Sequence, residues 1–273
     1  MLFRSTYYSR PLVTPSVMMI YDMIPEVFGI DLLAPEWQEK AACIANARRF
    51  VAISGSTARD LSDMYPGIDP QRITVAHCGV AGLFRPASAE EIEGFRRRRG
   101  IVKPYFLLVG GRGGGYKNVG AFFRALTMPP NRQRFAVAWV GGEHPLDAAE
   151  QALRAGSEVH LLRLDDEELR LAYGGAVALA FPSAYEGFGM PVAEAMACGC
   201  PVVTTSSASL PEVTGDAAIR VVATDVEELA DALVRVQRAE VRLDLAERGL
   251  AQARRFSWAR MAGIVADVLR GDK

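Results

Sequence analysis

The chain has 273 residues, half of which are hydrophobic, and it carries a formal net charge of −1. This is the composition of an ordinary globular protein. The near-neutral charge gives no indication of a nucleic-acid partner, and the length suffices for about two domains.

No apolar run approaches the roughly 20 residues of a membrane-spanning helix, and the N-terminus has no apolar core of signal-peptide length. We therefore expect a cytoplasmic protein. A charge run at residues 96–99 follows several acids and is interpreted as a solvated helix face, with the bases at the helix end that favours them. A peripheral contact with anionic lipid at the inner membrane face is the alternative. The cysteines have no zinc-type spacing and are expected to be packed thiols: Cys43, Cys78, Cys198 and Cys200.

Strand-like and helix-like segments alternate along the chain, less regularly at first. Three strands are predicted at 16–21, 51–54 and 73–76, with helices at 35–49 and 57–64. Ser56 is the predicted N-cap of the second helix. Residues 79–86 break the pattern and are predicted to be a linker.

The alternation becomes regular from residue 105 onward. Strands are predicted at 105–111, 135–142, 159–164, 177–181, 201–205 and 218–222, and helices at 118–126, 145–155, 166–174, 190–198 and 226–238. Short apolar strands between amphipathic helices indicate an α/β fold with a parallel sheet covered on both faces. Ligands of such sheets bind outside the carboxyl ends of the strands.

A glycine-rich segment, 110–118, directly follows a predicted strand. Its glycines allow close approach of backbone to a ligand, and Arg112 and Lys117 supply positive charge. This pattern favours phosphate binding over the alternative, a mobile surface turn. It is neither a Walker loop nor a G-x-G-x-x-G dinucleotide turn.

The second glycine loop, within 181–199, joins a strand to a helix and has Glu186 and Glu194 with seven residues between them. A helix N-terminus after a glycine loop favours an anion. Either acid alone could equally be a solvated or capping residue. Together with the bases of the first loop, they predict a site for a diphosphate flanked by a ribose and a sugar.

At these residues the chain resembles the retaining glycosyltransferases of family 4, which have the GT-B fold of two Rossmann-like domains. Residues 181–202 match that family's two-acid signature, and Arg112 and Lys117 match its Arg and Lys, which stand five residues apart. The resemblance extends from about residue 13 to residue 258. It implies a complete C-terminal nucleotide-sugar-binding domain, 85–256, an incomplete N-terminal acceptor-side domain, 1–84, and a final helix, 257–273, that packs back on the N-terminal domain.

The resemblance also implies roles for individual residues. Glu194 would bind the ribose, Glu186 the transferred sugar, and Arg112 and Lys117 the leaving diphosphate. Asp22 is an acceptor-side candidate. Further donor-binding residues would be Gly111, Leu164, Gly187, Phe188, Gly189 and Met190. No cofactor is implied, because the nucleotide sugar is a substrate, and the sequence has no Asp-x-Asp to suggest a metal-bridged diphosphate.

Three features depart from the family pattern. Tyr21 stands where the family often has histidine, and Cys78 and Ala81 replace residues of a usual Asn-Gly-Val-Asp. The family's first domain normally begins roughly a hundred residues earlier, within the usual size of a domain.

The predicted function is therefore retaining transfer of a sugar, with GDP-mannose slightly preferred over UDP or dTDP sugars as the donor. The acceptor would be a hydroxyl of a glycan or lipid-linked glycan in polysaccharide or glycolipid synthesis. The alternative is a donor-binding remnant or non-catalytic subunit, completed by a second chain or a homo-oligomer. A nucleotide-sugar epimerase is less consistent, since such relatives lack the two-acid loop.

Overall fold

The structure is a computed structural model that describes residues 2–4, 14–111, 115–131, 134–142, 146, 148–154 and 156–271. In chain order its strands are β1 (Leu2–Arg4), β2 (Ser16–Ile20), β3 (Ala47–Ala52), β4 (Ile73–Val75), β5 (Tyr105–Val109), β6 (Ala136–Val140), β7 (Glu158–Leu162), β8 (Ala178–Phe181), β9 (Val202–Thr205) and β10 (Ile219–Val221). Its helices are α1 (Ile24–Val27), α2 (Pro35–Asn46), α3 (Gly55–Met64), α4 (Ala89–Arg99), α5 (Val119–Thr127), α6 (Ala148–Leu153), α7 (Asp166–Gly175), α8 (Met190–Ala197), α9 (Leu210–Thr214), α10 (Val226–Arg235), α11 (Ala239–Ala253) and α12 (Trp258–Arg270).

The chain divides into two compact units. The first unit contains residues 1–79, 186–188 and 256–273, and the second contains residues 80–185 and 189–255. Residues 186–188 of the loop after β8 therefore belong to the first unit, although the residues before and after them belong to the second.

The first unit has a parallel sheet in the order β1-β2-β3-β4. Every residue of β2 is buried, and the four residues after Ser16 are all apolar, as is typical of a parallel strand covered on both faces. The core beside it consists of Met18, Ile20, Met23, Cys43, Ile44, Ala47, Phe50 and Leu61. Three strands were predicted for this unit from the sequence. The prediction is wrong, because the described residues contain a fourth strand, Leu2–Arg4, which pairs with β2.

Two local predictions in the first unit are wrong. The N-cap of α3 is Ser54, whose hydroxyl accepts a hydrogen bond from the Thr57 N–H, and Ser56 lies inside the helix. The helix predicted over 35–49 ends at Asn46, and the chain continues as β3. The Arg72 guanidinium donates to the carbonyl oxygens of Ala47 and Arg48, which an extended backbone exposes to it.

The second unit has a larger parallel sheet in the order β10-β9-β8-β5-β6-β7. Counted from β5, the chain adds β6 and β7 on one side and then β8, β9 and β10 on the other. This is the doubly wound order of a Rossmann fold, and it has a topological switch point between β5 and β8. The predicted α/β fold is confirmed.

The core of the second unit is rich in aromatic rings. Phe106 and Phe135 pack with ring centroids 5.0 Å apart, and Phe123 and Trp139 lie 5.9 Å apart. Helix α11 was not predicted from the sequence. It packs against α8, where a Cβ on Gly249 would lie 3.3 Å from the Met196 side chain.

Candidate functional site

The loops after β5 and β8 open from neighbouring parallel strands, at the carboxyl ends that flank the switch point. Lys117 lies here. Its ammonium is 5.4 Å from the centre of the Phe181 ring, at the end of β8, and 5.1 Å from that of Tyr116. The Lys117 side chain also passes over Gly110, where a Cβ would meet it at 3.9 Å. A positive charge is therefore held at the crevice where doubly wound sheets bind ligands.

Two glycines allow the strands to end side by side at this crevice. Gly141, after β6, has φ +113°, and a Cβ there would lie 2.5 Å from the carbonyl oxygen of Gly110. Gly110 itself has φ +131° and donates its N–H to the Val140 carbonyl at 3.0 Å. Side chains at either position would be strained by the backbone conformation.

The loop after β8 is held by hydrogen bonds from its neighbours in the second unit. The Thr204 hydroxyl donates to the Phe181 carbonyl at 2.7 Å. The Ala184 N–H donates to the Tyr116 carbonyl at 2.7 Å, which joins this loop to the one that carries Lys117. Asn118 adds a further tie through its amide, 3.3 Å from the Pro182 carbonyl oxygen. The two loops therefore form one connected rim.

Helix α8 begins at this rim. Its N-cap is Gly189, with φ +98°, and Met190 is its first residue. A Cβ on Gly189 would lie 2.9 Å from the Leu210 side chain, so both conformation and space require glycine here. The first turn of such a helix presents N–H groups and a positive dipole end to an anion.

Glu194 lies on α8 and is half-buried. The hydroxyl of Tyr173, a fully buried residue on α7, donates to Glu194 Oε2 at 3.0 Å. Burial raises the pKa of the Glu194 carboxyl, the hydrogen bond from Tyr173 opposes that shift, and the charge of Asp166 adds to it. Burial, and then the Glu194 charge, raise the pKa of Tyr173 well above its usual value, so this phenol stays a donor.

Glu186, Gly187 and Phe188 belong to the first unit. The Gly187 carbonyl accepts a hydrogen bond from the Thr57 hydroxyl at 3.1 Å. A Cβ on Gly187 would lie 1.9 Å from the Tyr21 carbonyl oxygen and 3.0 Å from the Asp22 side chain. The structure therefore brings the glycine after Glu186 into direct contact with the segment that carries Asp22.

Phe188 is one of three rings that pack together in this part of the first unit, in edge-on and tilted contacts. It is 2% exposed, and its ring lies 5.3 Å from Phe256 and 6.0 Å from His77. His77 and Phe256 are also in edge contact at 5.9 Å. Both neighbours of Gly187 in the chain, Glu186 and Phe188, are therefore buried, with exposed fractions of 9% and 2%.

A buried ion pair supports the Asp22 segment from below. Lys40, 1% exposed, lies 2.8 Å from a carboxylate oxygen of Glu26 and donates to the Asp22 carbonyl at 3.1 Å. Tyr65 donates its hydroxyl to the other Glu26 oxygen at 3.1 Å. The Asp22 carboxylate accepts from the N–H of Ile24, the first residue of α1, at 3.0 Å, which holds the turn that leads into this helix.

The other predicted residues are less closely connected. Leu164 follows β7 at the same sheet edge and is half-buried, two strands away from β5. Gly111 is exposed beside Gly110. Arg112 lies outside the described residues.

Sequence reasoning missed Tyr173, Thr57 and Gly141. No signal could have revealed the first two, since each bonds to a residue far along the chain, on another element. Gly141 could have been suspected, because it begins a Gly-Gly at the carboxyl end of a predicted strand.

The remaining chemistry-bearing groups have structural surroundings. All four cysteines are buried free thiols, and burial raises the pKa of Cys78 to about 11 and of Cys200 to about 12. Within the described ranges, no three His, Cys, Asp or Glu side chains are grouped as metal ligands. No helix in this part of the chain has the length and hydropathy to cross a membrane.

A cation and a helix N-terminus at the switch point of a doubly wound sheet are typical of α/β proteins that bind nucleotides. The comparison with known families is consistent with that class. Residues 103–238, just under half of the chain, match the family model described as glycosyl transferases group 1.

Curated relatives are similar over parts of their length. The chain is 44% identical over 110 residues to the O-antigen chain mannosyltransferase B of Escherichia coli, a match that covers 40% of this chain and 29% of the relative. It is 34% identical over 249 residues to the D-inositol 3-phosphate glycosyltransferase of a Nocardioides species, which covers 82% of this chain and 54% of the relative. The chain therefore spans less than two thirds of either relative.

Among solved structures, the fold is similar to that of HepE from Anabaena in complex with UDP and glucose. The TM-score is 0.78 at 20% identity, with 94% of this chain and 71% of that chain covered. This similarity shows the fold, which is that of the GT-B glycosyltransferases.

Proposed function

We propose that the chain is a retaining glycosyltransferase of family 4, which transfers a sugar from a nucleotide-diphosphate donor to a hydroxyl acceptor. The observation that carries the proposal is the crevice at the switch point between β5 and β8. There Lys117 lies over Gly110 and Phe181, and the loop after β8 leads into α8 with its half-buried Glu194. The match of residues 103–238 to a glycosyltransferase model supports the same activity.

The proposed donor site uses both loops. Lys117 and Arg112 bind the diphosphate, and the first turn of α8 adds backbone N–H groups at Gly189 and Met190. Glu194 accepts hydrogen bonds from the ribose hydroxyls. The base lies near Leu164, and Gly111 allows the donor to approach the backbone closely.

The proposed sugar-binding side uses the loop that packs with the first unit. Glu186 accepts hydrogen bonds from hydroxyls of the transferred sugar, and Gly187 and Phe188 hold it in place. Asp22 is the acceptor-side candidate, since its segment touches Gly187.

The proposed route to retention is front-face attack, in which the acceptor oxygen approaches the anomeric carbon from the face that the diphosphate leaves. The bond from that carbon to the diphosphate oxygen breaks, and this oxygen takes the proton of the acceptor hydroxyl. Negative charge therefore develops on the diphosphate beside Lys117 and Arg112. Preorganised cations at the site of developing charge are often the largest single contribution to such catalysis.

GDP-mannose is the proposed donor, and the acceptor is a hydroxyl of a glycan or lipid-linked glycan. The support is the resemblance of the two-acid loop, together with the similarity to a relative named as a mannosyltransferase. UDP sugars are the closest competitors as donors.

The test is donor hydrolysis and transfer, measured with GDP-mannose and UDP-glucose on the wild type and on Glu186→Gln. We expect the substitution to lower turnover by about a hundredfold or more, as for loss of a group that stabilises a transition state. Donor affinity should change only a few-fold. Glu227→Gln is the matched control, an exposed glutamate in the first turn of α10. Equal turnover in Glu186→Gln and wild type would remove Glu186 from the site.

A second candidate is a donor-binding subunit that needs another chain for the acceptor side. The observation that favours it is that Lys117, Glu194 and the first turn of α8, the groups proposed to bind the donor, all belong to the second unit. In the same assay this candidate predicts nucleotide binding without turnover in the wild type, and turnover on addition of a partner chain.

A further inference from the structure

We infer that Tyr173 is a positioning residue, which orients the Glu194 carboxylate toward the donor ribose and keeps it able to accept hydrogen bonds. This inference rests on the proposed function, because it assumes that Glu194 binds the ribose. It concerns a residue on a different helix, outside the two-acid loop.

The geometry of Tyr173 fixes one oxygen of the carboxylate. Its hydroxyl donates to Glu194 Oε2 at 3.0 Å. Within the described part of the chain, this is the one hydrogen bond to the Glu194 side chain. Because Oε2 is held, the second oxygen has a defined direction from α8.

Tyr173 cannot easily follow the carboxylate if Glu194 moves. Its ring is fully buried and packs edge-on against Phe84, with centroids 6.1 Å apart at 70°. Helix α7 is fixed in the turn that precedes it. Arg170, 1% exposed, pairs with Glu91 of α4 at 2.6 Å, and the Ala172 carbonyl accepts from the Tyr105 hydroxyl at 2.7 Å.

The electrostatic setting gives this hydrogen bond a second effect. Burial and the charge of Asp166 both raise the pKa of Glu194, and the hydrogen bond from Tyr173 lowers it. Further titratable or charged groups in electrostatic contact are Cys198 beside both Glu194 and Tyr173, Cys200 beside Tyr173, Arg170 beside Cys198, and Arg242 beside Cys200. An ionised carboxylate accepts from two ribose hydroxyls, whereas a protonated one has less accepting capacity.

The first test is calorimetric titration of the full chain with GDP and UDP, on the wild type and on Tyr173→Phe. Hydrogen bonds to charged groups are the stronger ones in proteins, so we expect about a tenfold loss of affinity for the nucleotide that binds. The matched control is Tyr65→Phe, which also removes a tyrosine hydroxyl bonded to a glutamate, at 3.1 Å in the first unit. It should leave nucleotide affinity unchanged.

A nucleotide that lacks the ribose hydroxyls distinguishes the proposed role of Tyr173 from a purely structural one. Titration with the 2′,3′-dideoxy form of the same nucleotide removes the hydroxyls that Glu194 would bind. We expect wild type and Tyr173→Phe to bind this analogue equally. An equal loss for both nucleotide forms would overturn the inference, since Tyr173 would then act on the fold and not through Glu194.

The pH dependence gives an independent readout. Without the Tyr173 hydroxyl the pKa of Glu194 rises further, so on lowering the pH, Tyr173→Phe should lose affinity at a higher pH than the wild type. Ionisation of the nucleotide phosphate is common to both proteins and cancels in the comparison. Identical pH profiles would contradict the inference.

Glu194→Gln separates failure of this inference from failure of the proposed site. Weaker binding by Glu194→Gln with unchanged binding by Tyr173→Phe would overturn the role of Tyr173 alone. Unchanged binding by Glu194→Gln would overturn the ribose site itself, and the inference with it.

Discussion

At Gly187 the first unit has room for a hydrogen and no more, because a Cβ would lie 1.9 Å from the Tyr21 carbonyl oxygen. Backbone atoms cannot give way as the end of a flexible side chain can. We expect Gly187→Ala to lower the free energy of unfolding by about 1–3 kcal/mol, the usual range for overpacking. Thermal unfolding measures it. Gly67→Ala in the same unit is the control, since its Cβ would meet nothing within 4 Å; equal stability of the two variants would contradict the observed packing.

The ionised carboxylate of Glu194 is proposed to favour ribose binding, but the same charge should lower the stability of the folded chain. Burial raises the pKa of its carboxyl in the folded chain, so the ionised form is disfavoured there. The contribution of Glu194 to the free energy of unfolding is fully present below the pKa of glutamate in the unfolded chain, about 4.3. It is lost as the pH rises through the pKa of Glu194 in the folded chain. Glu194→Gln should therefore unfold at a higher temperature than the wild type at pH 8, and the gain should shrink toward pH 4.

Thermal unfolding between pH 4 and 8 checks this expectation, with Glu227→Gln as an exposed control. A Glu194→Gln variant that is less stable than the wild type at pH 8 would show that the carboxylate is stabilising in the fold. Such trade-offs between stability and binding are common at functional sites.

How far individual site residues can be predicted depends on the kind of contact involved. Lys117 and the glycines after β5 could be placed near the β8 loop because neighbouring parallel strands end at one edge. Tyr173 could not be predicted, since its hydroxyl reaches Glu194 from another helix, 21 residues away. The contact of Gly187 with Tyr21 spans still more of the chain.

At the scale of elements, the start of α4 is a capping box. The Ser88 hydroxyl accepts from the Glu91 N–H at 3.2 Å, and the Glu91 carboxylate accepts from the Ser88 N–H at 2.7 Å. The backbone hydrogen bond from Ser88, and then the Arg170 guanidinium, lower the pKa of Glu91 to about 2. Its stabilisation is therefore present above the unfolded pKa and lost as the pH falls toward about 2.

We expect Glu91→Gln to lower the unfolding temperature at pH 7, with a difference that narrows as the pH is lowered to 3. Glu90→Gln is the matched control, because Glu90 shares the first turn of α4. A difference that stays constant over this pH range would mean that the charge of Glu91 has no part in the cap.

Strands and helices were predicted correctly where the spacing of apolar residues was regular. They were missed or misplaced where the apolar pattern is weak or where residues far apart in the sequence are in contact. The alternation from residue 105 onward predicted the strands of the larger sheet to within a few residues. Helix α11 was missed because its few buried residues, such as Leu245 and Gly249, give a weak apolar stripe. At the boundary between α2 and β3, the carbonyls of Ala47 and Arg48 accept hydrogen bonds from Arg72, a residue more than 20 positions further along the chain.

At the scale of the whole molecule, the described residues form a six-stranded doubly wound sheet and a four-stranded parallel sheet. The alternation of strand-like and helix-like segments along the chain predicted that both sheets are parallel, since continuous apolar strands are typical of parallel sheets with two covered faces. It could not predict that residues 186–188 pack with the first unit. That placement depends on the fit of Gly187 and the ring of Phe188 among residues far away in the sequence.

The central claim is that the crevice at the ends of β5 and β8 binds a nucleotide diphosphate through Lys117. Calorimetric titration with GDP and UDP tests it most directly, on the wild type, Lys117→Ala and the surface control Lys103→Ala, whose side chain pairs with Glu158 at 3.0 Å. We predict that the wild type binds at least one of the two nucleotides, that Lys117→Ala binds it about tenfold or more weakly, and that Lys103→Ala matches the wild type. Absence of binding by the wild type, or equal binding by Lys117→Ala, would contradict the claim.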